Sequence, residues 1–141
     1  MNLTKNFTLE ELTRSETAKA RGINNTPSPQ VIANLQTLCS SVLQPLRDAW
    51  GKPLTVTSGY RCTALNRAVG SKDTSQHRLG QAADIKCATK SKADNKALFD
   101  LACKMVKDGK MVVGQLIDEY GYSWLHISTQ GGHRNQILHI K

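Results

Sequence analysis

Ser75-Gln76-His77-Arg78-Leu79-Gly80-Gln81-Ala82-Ala83-Asp84-Ile85 is the stretch that decides how this chain is read. It leaves a polar loop, Ser71-Lys72-Asp73-Thr74, turns at Gly80, and enters the apolar run Ala82 to Cys87, which reads as a strand. An imidazole and a carboxylate stand seven positions apart on either side of that turn. A carboxylate flanked by Ala83 and Ile85 either faces solvent or has a partner that offsets its desolvation. A second histidine lies downstream, in Trp124-Leu125-His126-Ile127-Ser128. Taken singly, His77 reads as a structural hydrogen-bonding group and Asp84 as an acid on an exposed face. Taken together, two histidines and one carboxylate are the ligand set of a hydrolytic zinc site with an open fourth position.

Upstream of this stretch the chain reads as helical. Thr8 precedes two acids and starts a helix that the pattern carries to about Arg21, with Gly22 as its stop. Asn24 to Pro29 is a loop by composition, and Ser28 with Pro29 forms a helix start. Val31, Ile32, Leu35, Leu38, Cys39, Val42, Leu43, Leu46 and Trp50 then recur at helical spacing, with Pro45 expected to kink or end the regular part. Leu54 to Ser58 alternates and is β-branched, so it reads as a strand. Cys62 to Val69 reads as a short helix or irregular segment.

Downstream, Ser91 starts another helix that Asp108-Gly109 ends. Val112 to Glu119, Trp124 to Thr129 and Gln136 to Ile140 read as three strands, the first two joined by the turn Tyr120-Gly121-Tyr122-Ser123. Helices come first and strands cluster late. This predicts an α+β architecture, with N-terminal helices packed on a mainly antiparallel sheet. With 141 residues, no internal repeat and no linker, residues 1–141 are expected to form one domain.

Strand parity places further chemistry. In 124–128, Leu125 and Ile127 share one face, and Trp124, His126 and Ser128 the other. With Leu116 on the apolar side, Gln115, Ile117 and Glu119 fall on the face of His126. A hairpin that sets Glu119 opposite Trp124 brings its carboxylate near His126, where a general base belongs. Asp118 then points the other way and is the second choice of base. Arg61, in Ser58-Gly59-Tyr60-Arg61, offers a planar fork for a substrate carboxylate, or is a surface cation. Ser75 either helps bind that substrate or caps its own loop. His133 and His139 are read as non-ligands, because three protein ligands already complete a catalytic site.

Composition narrows the partners. The net charge is +8, from 19 Lys and Arg against 11 Asp and Glu, which favours polyanions through long-range attraction. The positives are scattered and lack the aromatic interleaving of a single-strand binder, so no specific nucleic acid is expected. No apolar run approaches the roughly 20 residues of a membrane helix, so stable membrane insertion is not expected either. Cys39, Cys62, Cys87 and Cys103 are widely spaced with no CxxC pair, which argues against a Cys-based zinc site and leaves free thiols as the default. The first residues carry no apolar stretch of a secretory signal. Synthesis in the cytoplasm and a monomeric state are the matching expectations.

Ser75, His77, Gly80, Ala82 and Asp84 match Ser-x-His-x-x-Gly-x-Ala-x-Asp, and the chain resembles the M15 family of zinc peptidases from Phe7 to Ser128. That family contains D-alanyl-D-alanine carboxypeptidases and phage L-alanyl-D-glutamate endolysins. Ser58-Gly59-Tyr60-Arg61 looks like its substrate-arginine segment, and Trp124-Leu125-His126 like its second histidine motif. The resemblance implies the fold shared with the hedgehog signalling domain, and one Zn2+ held by His77, Asp84 and His126. It further implies hydrolysis of peptidoglycan stem peptides, with Glu119 as proton carrier and Arg61 and Ser75 on the substrate. Many members carry the catalytic acid three residues before the second zinc histidine, where this chain has Ser123. The departure keeps an alternative open, a non-catalytic zinc module that binds cell-wall or protein ligands.

Overall fold

In the computed structural model, which describes residues 1–129 and 132–141, the decisive stretch is a short 3-10 turn, Gln76–Leu79, followed by a strand, Ala82–Cys87. Gly80 joins the two with φ 73°, a left-handed conformation that favours glycine. A Cβ there would also press on Val31 of the neighbouring helix at 3.0 Å.

Seven strands and six α-helices occur among the described residues. In chain order the strands are β1 (Asn2–Thr4), β2 (Phe7–Thr8), β3 (Leu54–Ser58), β4 (Ala82–Cys87), β5 (Gln115–Glu119), β6 (Trp124–Ser128) and β7 (Gln136–Ile140). The helices are α1 (Leu9–Thr13), α2 (Glu16–Arg21), α3 (Pro29–Leu38), α4 (Gln44–Trp50), α5 (Thr63–Ala68) and α6 (Lys92–Lys107). β3 to β7 form one five-stranded sheet in the order β3-β4-β6-β5-β7. All its pairs are antiparallel except β5 with β7, which run parallel. The α+β reading holds.

One face of the sheet carries the core. Val56, Ala83, Ile85, Leu116, Leu125 and Ile127 are buried against Leu35, Leu38, Leu43 and Leu46 of the long helical segment and Leu98, Phe99 and Ala102 of α6. Each buried Val, Leu, Ile or Phe side chain there contributes about 1.5–3 kcal/mol relative to exposure. The opposite face is left for His126, Ile117 and Glu119, so the layer that supplies stability is separate from the layer that supplies chemistry.

Three sequence expectations change. The helix drawn from Thr8 to Arg21 is two helices. Ser15 adopts an extended backbone and caps α2 by accepting from Ala18 N, so the chain turns between Thr13 and Glu16. The capping box of Thr8 and Glu11 starts α1 as expected. The residues before it pair as β1 and β2, which the sequence reading left unassigned. The 29–50 segment is not broken by Pro45. It passes through a π turn, Cys39–Leu43, in which Gln44 N–H reaches back to Cys39 O. Widening that turn is how the helix accommodates a proline that lacks an N–H and crowds the preceding turn. The strand expected from Val112 begins at Gln115, and Gly114 just before it lies against the backbone at Thr129, too close for any Cβ.

Candidate metal centre and cleft

Register carries His126 to its partners. β6 pairs with β4 so that His126 faces Asp84, and with β5 so that His126 faces Ile117 and Trp124 faces Glu119. The hairpin parity read from sequence is therefore the observed one. Its turn places Tyr120, Gly121 and Tyr122 all at positive φ, and Ser123 Oγ closes it by donating to Tyr120 O. Ser123 is thereby committed to the turn, and Glu119 is the acid of β5 that reaches the cleft.

His77 arrives from the 3-10 turn. Its backbone N–H is capped by Ser75 Oγ at 3.2 Å, and its carbonyl accepts from Arg61 N at 3.0 Å. Nδ1 lies 2.7 Å from Gly59 O, which turns Nε2 towards Asp84 Oδ1 at 3.4 Å. His126 Nδ1 meets the same oxygen at 3.2 Å. Ligand atoms of His77, Asp84 and His126 all lie within 4.8 Å of one another, the one such cluster among the described residues.

The donor set fits a divalent metal. It has two imidazole nitrogens and one carboxylate oxygen, with His77 oriented through its second nitrogen by a backbone carbonyl. Burial pushes the Asp84 carboxyl up, but hydrogen bonds to His126 and His77 outweigh it and hold the group well below the usual carboxylate range. The anionic form, which is the ligating form, is thereby favoured.

A cleft of about 390 Å³ opens over these residues. Arg61, Ser71 and Ser75 line one end, and Gln115, Ile117, Glu119, Tyr120 and Trp124 the other. Trp124 Nε1 donates to Glu119 Oε2, which fixes the carboxylate on the cleft face. Arg61 is half-buried. Its burial lowers the guanidinium pKa, while Asp84 and Glu119 raise it. Its Nε is buried with no hydrogen-bond partner among the described residues, and Nη1 donates to Ser58 Oγ only at 3.4 Å. The fork is thus held inside the cleft with unused donors. Asp118 lies on the other face, buried and engaged by His139 Nδ1, so it stands apart from the cleft as parity indicated.

Two contributors escaped the sequence reading. Asn25 accepts from Cys62 N at 2.8 Å and donates to Tyr60 O at 3.0 Å, clamping the segment that bears Arg61. Its signal was hidden inside a turn-rich loop. Gly59 touches the backbone of Leu12, where a Cβ would come within 2.2 Å of the carbonyl oxygen. A glycine directly after a strand was the available clue.

A clustered His-Asp-His set lies beneath an acid-bearing cleft and could hold a metal ion there. The family model of Peptidase M15 matches residues 5–128, and the chain belongs to that family. No curated protein matches the chain at a significant level.

Proposed function

We propose that this peptidase is zinc-dependent and hydrolyses peptide bonds in peptidoglycan stem peptides, at D-Ala-D-Ala or L-Ala-D-Glu. The observation that carries this reading is the convergence of His77, Asp84 and His126 within 4.8 Å, with Glu119 on the same sheet face. His77, Asp84 and His126 would hold the ion. Zinc there would supply Lewis-acid polarisation of the scissile carbonyl and make an attacking water more acidic. Glu119 takes the proton of that water and returns it to the leaving amine, with Trp124 holding its carboxylate in place. Arg61 binds a substrate carboxylate through the donors left unused in the cleft. Ser75 lines the cleft and, by capping the turn, positions His77.

A stem-peptide substrate places the site of action at the cell wall, reached after release, as for a phage or prophage endolysin. No helix of the described residues is long and apolar enough to cross a membrane. The test is mass spectrometry of purified muropeptides digested with and without a chelator. Cleavage that zinc restores is the expected result. Failure of freshly zinc-loaded protein to cut either bond overturns the reading.

A further inference from the structure

β7 lies wholly beyond the part of the chain that the family model covers, yet it extends the sheet that carries the cleft. Its parallel register sets Leu138 beside Ile117 and Ile140 beside Glu119. Neighbours in register share a face, so Leu138 and Ile140 emerge on the cleft side. Side-chain contacts agree with this parity on both faces. Gln115 Nε2 donates to Gln136 Oε1 at 2.7 Å on the cleft side, whereas His139 packs on Phe99 of α6 and engages Asp118 on the other.

Leu138 and Ile140 are 37% and 40% exposed, and Tyr120 is 55% exposed with its ring centroid 5.1 Å from that of Trp124. With the buried Ile117 they make an apolar shelf running from His126 to the edge of the sheet. One end of the cleft is cationic and hydroxyl-bearing at Arg61 and Ser71, with Val69 beside them, whereas the other sets Ile117, Tyr120 and Trp124 among Gln115 and Glu119. Leu138 stands two strands from His126, about 10 Å, which an extended peptide spans in about three residues.

We propose that Leu138, Ile140 and Tyr120 form a subsite for an aliphatic side chain of the peptide substrate. That side chain lies about three residues from the scissile bond, on the side away from Arg61. The proposal rests on the stem-peptide reading above. It makes β7 a determinant of which peptides are held, separate from the residues that cut them. Ile117 and Tyr120 line the cleft, Leu138 and Ile140 adjoin them through the β5–β7 register and the Tyr120 N–H to Ile140 O bond, and the charged end at Arg61 gives the substrate chain a single direction across it. A free aliphatic edge strand also invites pairing with a second copy of the chain, which is the competing occupant.

Two pairs of synthetic peptides test this, one pair for each side of the scissile bond. They share the scissile dipeptide and differ only three residues from it, norleucine against serine, with the variable position placed on each side in turn. For the zinc-loaded wild type, KM and the Kd from calorimetry should favour norleucine about tenfold on one side only. Leu138→Ser and Ile140→Ser should erase that preference in both KM and Kd. Turnover without any preference overturns the subsite and leaves the peptidase reading intact. Preferential binding without turnover overturns the peptidase reading and keeps the subsite, and loss of both overturns both. A dimer in sedimentation that Leu138→Ser dissociates, with peptide preference unmoved, assigns the shelf to self-association and overturns the proposal.

Discussion

Glu119 and Asp84 are the two carboxylates in the cleft lining among the described residues, and their surroundings assign them different work. Asp84 is enclosed between two imidazoles, which suits a ligand. Glu119 receives an indole N–H and lies within the field of Arg61, which suits a proton carrier with a fixed position. Replacing Glu119 by Gln preserves shape and the ability to accept from Trp124, but removes the proposed base. Glu119→Gln should retain one zinc per chain by metal analysis and lose about 10²–10⁴-fold in kcat on muropeptides. Activity within a few-fold of wild type would move the base elsewhere. Asp84→Asn removes the carboxylate of the proposed ligand set, leaving the two imidazoles. It should fail to retain stoichiometric zinc after dialysis, and retention would show that the carboxylate is not a ligand.

At the scale of elements, the bend after β3 locks the site to the N-terminal helices. Tyr60 N–H donates to Leu12 O at 2.7 Å, and Gly59 O receives His77. A methyl group at Gly59 has to displace backbone, so Gly59→Ala should lower unfolding stability by about 1–3 kcal/mol. It should also weaken zinc affinity, because the carbonyl that orients His77 moves with it. Titration with a competing chelator measures this second effect, and an unchanged zinc Kd in a folded Gly59→Ala protein would detach the bend from the metal centre. Much of this arrangement was legible in the sequence. Alternation in Trp124 to Ser128 and the turn at Tyr120 to Ser123 fixed the shared face of Glu119 and His126, because side chains on a strand have only two directions to choose from. The break at Arg14 and Ser15, the π turn before Pro45 and the clamp by Asn25 were not legible. Each depends on which remote backbone a segment meets, and local pattern does not encode that contact. β7 was read as a strand, but its parallel placement beside β5 is a matter of chain path between strands.

For the molecule as a whole, the separation of core from cleft predicts how stability responds to pH. Cys39 is fully buried among α3, the π turn and the sheet, and burial pushes its thiol from the ordinary value of 9.0 up to about 12. The folded state therefore keeps a proton that the unfolded chain releases. Stability from this group is fully present below pH 9 and is lost as pH rises towards 12, with a limiting slope of about 1.4 kcal/mol per pH unit. Burial raises Cys87 and Cys103 as well, so the alkaline slope is shared. Asp84 has the opposite sign. Its folded pKa is depressed, so its contribution is present above the ordinary carboxylate value of 3.8 and is lost as pH falls below it. Denaturant unfolding of the chelator-treated protein should thus give a plateau with falling limbs on both sides. Cys39→Ala lowers the plateau by leaving a small cavity but flattens the alkaline limb, and Asp84→Asn flattens the acid limb. A Cys39→Ala protein whose stability falls as steeply above pH 9 as the wild type would show that the buried thiol does not govern that limb.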